Sequence, residues 1–265
     1  MYSLSQLKKG ILNPAAARDN LKNRYNDFLN TRQGINYLEQ DWDTLILLDG
    51  CRYDLFVECS TLEGNLKPVH SNSSTSQDFF RKNFEGGEFG DLVYYSANPH
   101  IDKYDVSLYD LYRLWESDFD KETGTVLPSD AVDRILETED QYRDKRIVVH
   151  LMQPHRPFLG AKADNFDQSP FSAQGVNISS GKDPDVPFWW DRMESGELDR
   201  DRVWELYRET LQIALPEVKR LVEEIPGKTV ISADHGNAFG ENDLYGHPGR
   251  TNHEVLTKVP WLEIT

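Results

Sequence analysis

Only two cysteines occur among the 265 residues. Cys51 and Cys59 sit close together around a predicted helix and form no C-x-x-C pair, so neither a disulfide framework nor a cysteine-based zinc site is indicated. A reducing compartment is the default. Long apolar runs are also missing. No segment approaches the roughly 20 residues needed to cross a bilayer, and the first 13 residues, despite Lys8 and Lys9, contain no signal-peptide core. The chain reads as a soluble, cytoplasmic protein with no integral membrane segment. Basic residues are scarce as well: 29 Lys and Arg against 45 Asp and Glu give a formal net charge of -16. That balance disfavours nucleic acid and anionic membrane surfaces as partners, and it leaves an acid-rich surface of the kind salt-adapted proteins carry. Internal repeats and low-complexity tracts are absent too.

What is present is a chain long enough for one large α/β domain. Its most informative stretch is Val230-Ile231-Ser232-Ala233-Asp234-His235-Gly236, an apolar run that stops at an Asp-His pair followed by glycine. A buried parallel strand presents metal ligands at its carboxyl end in this way. Asp43 to Asp49 has the same form, an apolar strand ending in a carboxylate beside Gly50. Neighbouring parallel strands put their carboxyl ends on one edge, so Asp49 and Asp234-His235 are expected to converge.

Residues 1–40 carry Leu21, Tyr25 and Phe28 at helical spacing and form an expected helical lead-in, with a single domain over 41–265. Helices are expected at Tyr53 to Cys59, after Ser76 to near Phe84, at Asp105 to Glu116, at Ser129 to Arg143 and at Asp201 to Glu224. Strands are expected at Leu66 to His70, where Pro68 favours an edge, and at Leu92 to Tyr95, Ile147 to Met152 and Val259 to Ile264. The segment 160–197 is irregular and reads as a lid-like insertion, with Trp189-Trp190 as a substrate platform or a loop anchor. Ser73-Ser74-Thr75-Ser76 precedes a helix-like aromatic run. One of these hydroxyls is an N-cap, and a helix amino terminus also attracts a phosphate or sulfate.

Taken in order, these segments resemble the alkaline phosphatase/sulfatase superfamily, most closely the compact acidic sulfatase-like proteins of salt-loving microbes. The resemblance is carried by Leu-Leu-Asp49-Gly-Cys-Arg52-Tyr-Asp54, Ser-Ser-Thr75-Ser-Gln-Asp-Phe, His150-Leu-Met-Gln-Pro-His155-Arg-Pro-Phe, Ala-Asp234-His235-Gly-Asn-Ala-Phe-Gly240-Glu241 and the terminal Lys258-Val-Pro260-Trp-Leu. It covers roughly residues 40 to 265. It implies an α/β fold with a mostly parallel central sheet sandwiched by helices, alkaline phosphatase-like. It also implies a metal-dependent hydrolase or transferase. Asp49, Asp234, His235 and the Thr75 hydroxyl would hold a divalent metal, Zn²⁺ or Mn²⁺, with one ion expected and two conceivable.

Thr75 would then be the nucleophile, with Ser74 and Ser76 as the alternatives. His155, His247 and His253 would bind the transferred group or form part of a second metal site. Arg52 would bind the substrate anion or close a structural ion pair. His150 reads as core or supporting, and His70 and His100 as surface residues. The C/S-x-P-x-R context that makes formylglycine is missing, which favours a phosphate over a sulfate ester. The expected partner is a small-molecule or glycan-type ester. The competing class is a binding or scaffold protein that kept the fold.

Overall fold

The computed structural model describes residues 34–164, 166, 168 and 189–265. The expected lead-in helix, the middle of the 160–197 insertion and the Trp189 side chain lie outside the described residues.

In chain order, strand β1 (Thr44–Leu48) is followed by helix α1 (Tyr53–Cys59), β2 (Asn65–His70), α2 (Ser76–Asn83), β3 (Glu88–Ser96) and β4 (Ser107–Arg113). A short helix α3 (Leu114–Ser117), a small hairpin of β5 (Phe119–Asp120) and β6 (Thr125–Val126), and helix α4 (Pro128–Thr138) lead into β7 (Arg146–Leu151). The remainder comprises α5 (Trp189–Glu194), α6 (Arg200–Glu224), β8 (Thr229–Ser232), β9 (Ala238–Phe239), β10 (Tyr245–Gly246), α7 (Glu254–Thr257) and β11 (Lys258–Ile264).

Seven strands form one sheet in the order β2-β11-β8-β1-β7-β3-β4. β1 pairs in parallel with both β7 and β8, and β3 in parallel with β7 and β4. Only β11 runs against its neighbours. This is the mostly parallel, helix-covered α/β sheet that the residue pattern implied. Every residue of β1 is buried, because both faces of a central parallel strand are covered. The pleat divides them: Ile46 and Leu48 pack with Leu55, Phe56 and the buried face of α6, whereas Leu45 and Leu47 pack with Phe79, Phe80 and Tyr94. Pro68 lies on the edge strand β2, where a missing N–H costs no ladder bond on the outer side.

The expected helix at Asp105 to Glu116 is corrected: most of it is strand β4, with only the four-residue α3 beyond it. Tertiary pairing overrides the helical reading. Tyr112 sits opposite Tyr95 in the parallel β3–β4 register, and their rings stack with centroids 4.4 Å apart.

Candidate metal centre

The sheet brings Asp49, at the end of β1, beside Asp234 and His235, just beyond the end of the adjacent β8. All three are buried. His235 Nε2 lies 3.5 Å from Asp234 Oδ2 and 3.7 Å from Asp49 Oδ1. The chain tightens around them. Asp234 Oδ1 accepts from the amides of Gly50 (3.0 Å) and His235 (2.9 Å), which fixes the carboxylate and turns Oδ2 inward. Gly50 has φ +65°, and a Cβ there would stand 2.8 Å from the Asn237 amide nitrogen, so the turn after β1 requires glycine.

Ser76 completes this group. Its hydroxyl donates to Asp49 Oδ2 at 3.1 Å and lies 3.2 Å from His235 Nε2. Thr75, expected as the metal-bound nucleophile, is the N-cap of α2: its Oγ1 accepts from the amide of Asp78 at 3.0 Å, and among the described residues no hydrogen bond joins it to Asp49, Asp234 or His235. Ser74 Oγ donates to the Pro248 carbonyl.

Two neighbours adjoin this group, His150, read from the sequence as core or supporting, and Asn98, which was not foreseen. His150, on β7, is fully buried, and its Nε2 lies 3.7 Å from both Asp49 Oδ2 and Asp234 Oδ2. Ligand atoms of Asp49, His150 and Asp234 all fall within 4.8 Å of one another. Asn98, just past β3, donates from Nδ2 to Asp49 Oδ2 at 2.6 Å. Both left a signal in the sequence. An imidazole inside an Ile-Val-Val-His-Leu-Met strand needs partners, and Asn98 is another polar residue just beyond a strand's carboxyl end.

Electrostatics favour a cation here. Burial, and then the charge of Asp234, push the Asp49 carboxyl well above the usual range, since two adjacent carboxylates out of water resist ionising together. Burial also raises Asp234, but His235, His150 and the Gly50 amide outweigh it and hold its carboxyl below the usual value. Asp234 Oδ2 and His150 Nε2 have no hydrogen-bond partner among the described residues. A buried carboxylate oxygen aimed at an imidazole and a hydroxyl, with no donor of its own, fits a divalent ion held by oxygen and nitrogen.

His155 and His247 stand next to this group. Their Nε2 atoms are 3.1 Å apart, and the His247 ring lies 4.7 Å from that of His235. Trp190 packs edge-on against His247. Burial is the main force holding all the neighbouring imidazoles neutral, pushing His155 down to about 3, His150 and His100 to about 4, and His247 well below its usual value. His100, expected at the surface, is half-buried beside the centre.

Of the two readings of Arg52, the structural ion pair is the one formed: its guanidinium bonds Asp54, Glu241 and the Asn237 carbonyl and stacks 4.9 Å over Trp204. His253 starts α7, and its Nε2 pairs with Asn242 Nδ2 at 2.8 Å. Among the described residues no hydrogen bond or ring contact joins it to His155, His235 or His247.

No protein-family model and no curated protein match the chain. Solved structures do. The periplasmic domain of a phosphoethanolamine transferase from Campylobacter jejuni superposes with a TM-score of 0.51 at 14% identity, covering 83% of this chain and 78% of that one. The chain has the alkaline phosphatase/sulfatase fold. The C-terminal periplasmic domain of EcEptC from Escherichia coli, solved in complex with Zn, also has a TM-score of 0.51, at 10% identity and covering 88% of this chain and 75% of that one. In this chain the ends of β1 and β8 meet the amino terminus of α2. Among the described residues no helix is long and apolar enough to cross a membrane.

Proposed function

We propose that this chain is a metal-dependent enzyme that cleaves or transfers phosphate esters, with Ser76 as its nucleophile. The observation that carries this reading is the Ser76 hydroxyl, at the first turn of α2 and within 3.2 Å of both Asp49 and His235. Asp49, Ser76, Asp234 and His235 would hold the ion, and two carboxylates with an imidazole suit Zn²⁺ or Mn²⁺. A divalent cation bound there lowers the pKa of the hydroxyl and offsets the charge developing on the ester oxygens.

Ser76 Oγ attacks phosphorus in line with the leaving oxygen. The Oγ–P bond forms as the ester P–O bond breaks, Ser76 gives up its proton, and the departing alkoxide takes one up. Ser76 opens α2, so the positive end of the helix dipole lies at the same place and favours the anionic group. His155 and His247 stand beside this point: the His155 Nδ1–H donates to the Arg156 carbonyl, its bare Nε2 accepts from the His247 Nε2–H, and that His247 N–H would have to leave His155 to meet a phosphate oxygen. Water or an acceptor alcohol then displaces Ser76 from phosphorus. The missing formylglycine context supports phosphate over sulfate, and the phosphoethanolamine transferases that share the fold support transfer alongside hydrolysis.

The test is turnover of p-nitrophenyl phosphate and p-nitrophenyl sulfate by chelator-treated protein resupplied with Zn²⁺ or Mn²⁺. Metal-dependent phosphate release, lost in Ser76→Ala, is expected. Activity that survives that substitution would remove Ser76 from the role.

A further inference from the structure

His150 differs from the other imidazoles near the metal centre in what faces its Nδ1. His235 Nδ1 faces the Gly236 carbonyl at 2.8 Å, and His155 Nδ1 faces the Arg156 carbonyl at 2.7 Å. A carbonyl only accepts, so both rings carry their proton on Nδ1 and present a bare Nε2. His150 Nδ1 instead faces the hydroxyl of Tyr94, 2.9 Å away across the β3–β7 pairing. A phenol donates or accepts, and its surroundings decide which.

Tyr94 is fully buried, packed by the rings of Phe80, Phe84 and His150. Among the described residues its hydroxyl has one hydrogen-bond partner, His150 Nδ1. If Tyr94 accepted, its own proton would be buried against aromatic carbon with nothing to receive it, a costly arrangement. Tyr94 therefore donates. The proton of the neutral His150 ring then sits on Nε2, the atom 3.7 Å from Asp49 Oδ2 and 3.7 Å from Asp234 Oδ2.

We propose that Tyr94 locks His150 as an N–H donor, making it a positioning residue for the two metal-binding carboxylates and not a ligand of the ion. A protonated nitrogen has no lone pair for a cation, however close it lies, so proximity to Asp49 and Asp234 does not make this imidazole a fifth donor. Its N–H dipole, 3.7 Å from both carboxylates, instead attracts whichever carboxylate oxygen the ion leaves uncoordinated. The inference rests on the metal-centre reading above, and it leaves four donors: Asp49, Ser76, Asp234 and His235.

The deciding experiment is long-range ¹H–¹⁵N NMR of histidine-labelled protein, metal-free and loaded with Zn²⁺, joined to zinc affinity by chelator competition. Expected is a His150 ring protonated on Nε2 in both forms, while the Nε2 of His235 shifts on zinc addition. Tyr94→Phe should release the lock and mix the two His150 tautomers. His150→Gln keeps an N–H near the same place and should hold zinc within about 10-fold of the parent, whereas His235→Gln should lose more than about 100-fold. A zinc-shifted Nε2 on His150, or equal losses from the two glutamine variants, would overturn the proposal. An Nδ1-protonated His150 in the metal-free protein would overturn it too. If the protein binds no zinc, the metal-centre reading fails, and the metal-free spectrum still decides the tautomer.

Discussion

Thr75 and Ser76 are consecutive, yet their hydroxyls serve different ends of the same helix start. Thr75 Oγ1 takes the Asp78 amide at 3.0 Å, and Ser76 Oγ reaches Asp49 Oδ2 at 3.1 Å. One residue ends the helix's unsatisfied backbone, and the next points into the metal centre.

That division predicts opposite phenotypes. Ser76→Ala should lower turnover of p-nitrophenyl phosphate by on the order of 10³-fold or more with little change in melting temperature. Thr75→Ala should keep most activity and lose about 1 kcal/mol of stability, recovered by Thr75→Ser. Steady-state kinetics and denaturant unfolding read both. Loss of activity in the Thr75 variant at unchanged stability would reverse the assignment.

The raised Asp49 carboxyl makes metal binding a proton-releasing event. Calorimetric titration of chelator-treated protein with Zn²⁺ near pH 6, in buffers of different ionisation enthalpy, should show protons expelled, with the number falling in Asp49→Asn. Zinc at a hundred times its Kd should add about 2.7 kcal/mol of stability, and the same addition should not stabilise Asp234→Ala.

Buried imidazoles set the acid limb of stability. His100 and His150 are held near 4 and His155 near 3, below the unfolded value of about 6.5. Between those values the unfolded chain binds protons that the folded chain refuses. The stabilisation is therefore complete above pH ~6.5 and is lost as pH falls through ~4. Asp49 acts in the opposite sense: raised in the fold, its contribution is complete at low pH and disappears as pH rises through its elevated value. Metal-free protein unfolded in urea from pH 4 to 8 should show a stability maximum between these limbs. Asp49→Asn should remove the decline on the alkaline side and leave the rise across the acid side steeper.

Arg52 holds Asp54 and Glu241 together over Trp204. Arg52→Ala should cost about 2 kcal/mol, less than a fully buried pair because Asp54 is more than half exposed. KM for a small phosphate ester should stay within about 2-fold. A raised KM at parental stability would restore Arg52 to substrate binding.

Asp49, Asp234 and His235 were legible in the sequence because each ends or follows an apolar run that can only be a covered strand, and parallel strands expose their carboxyl ends on one edge. The mostly parallel sheet, α1, α6 and the edge position of Pro68 followed from the same local rules. Choosing among four consecutive hydroxyl residues did not, because at a helix start a rotation of one residue exchanges the cap for the inward-facing group, and only the packing of α2 on β1 and β8 sets that rotation. The segment 107–113 became strand through pairing with β3, a partner local spacing does not see. His150 and Asn98 reach Asp49 through the lateral order of β1, β7 and β3, and Arg52 finds its partner Glu241 189 residues later in the chain. Strand ends and their chemistry are local properties of a chain, whereas which side chains share one buried, desolvated point is decided by strand order and helix rotation.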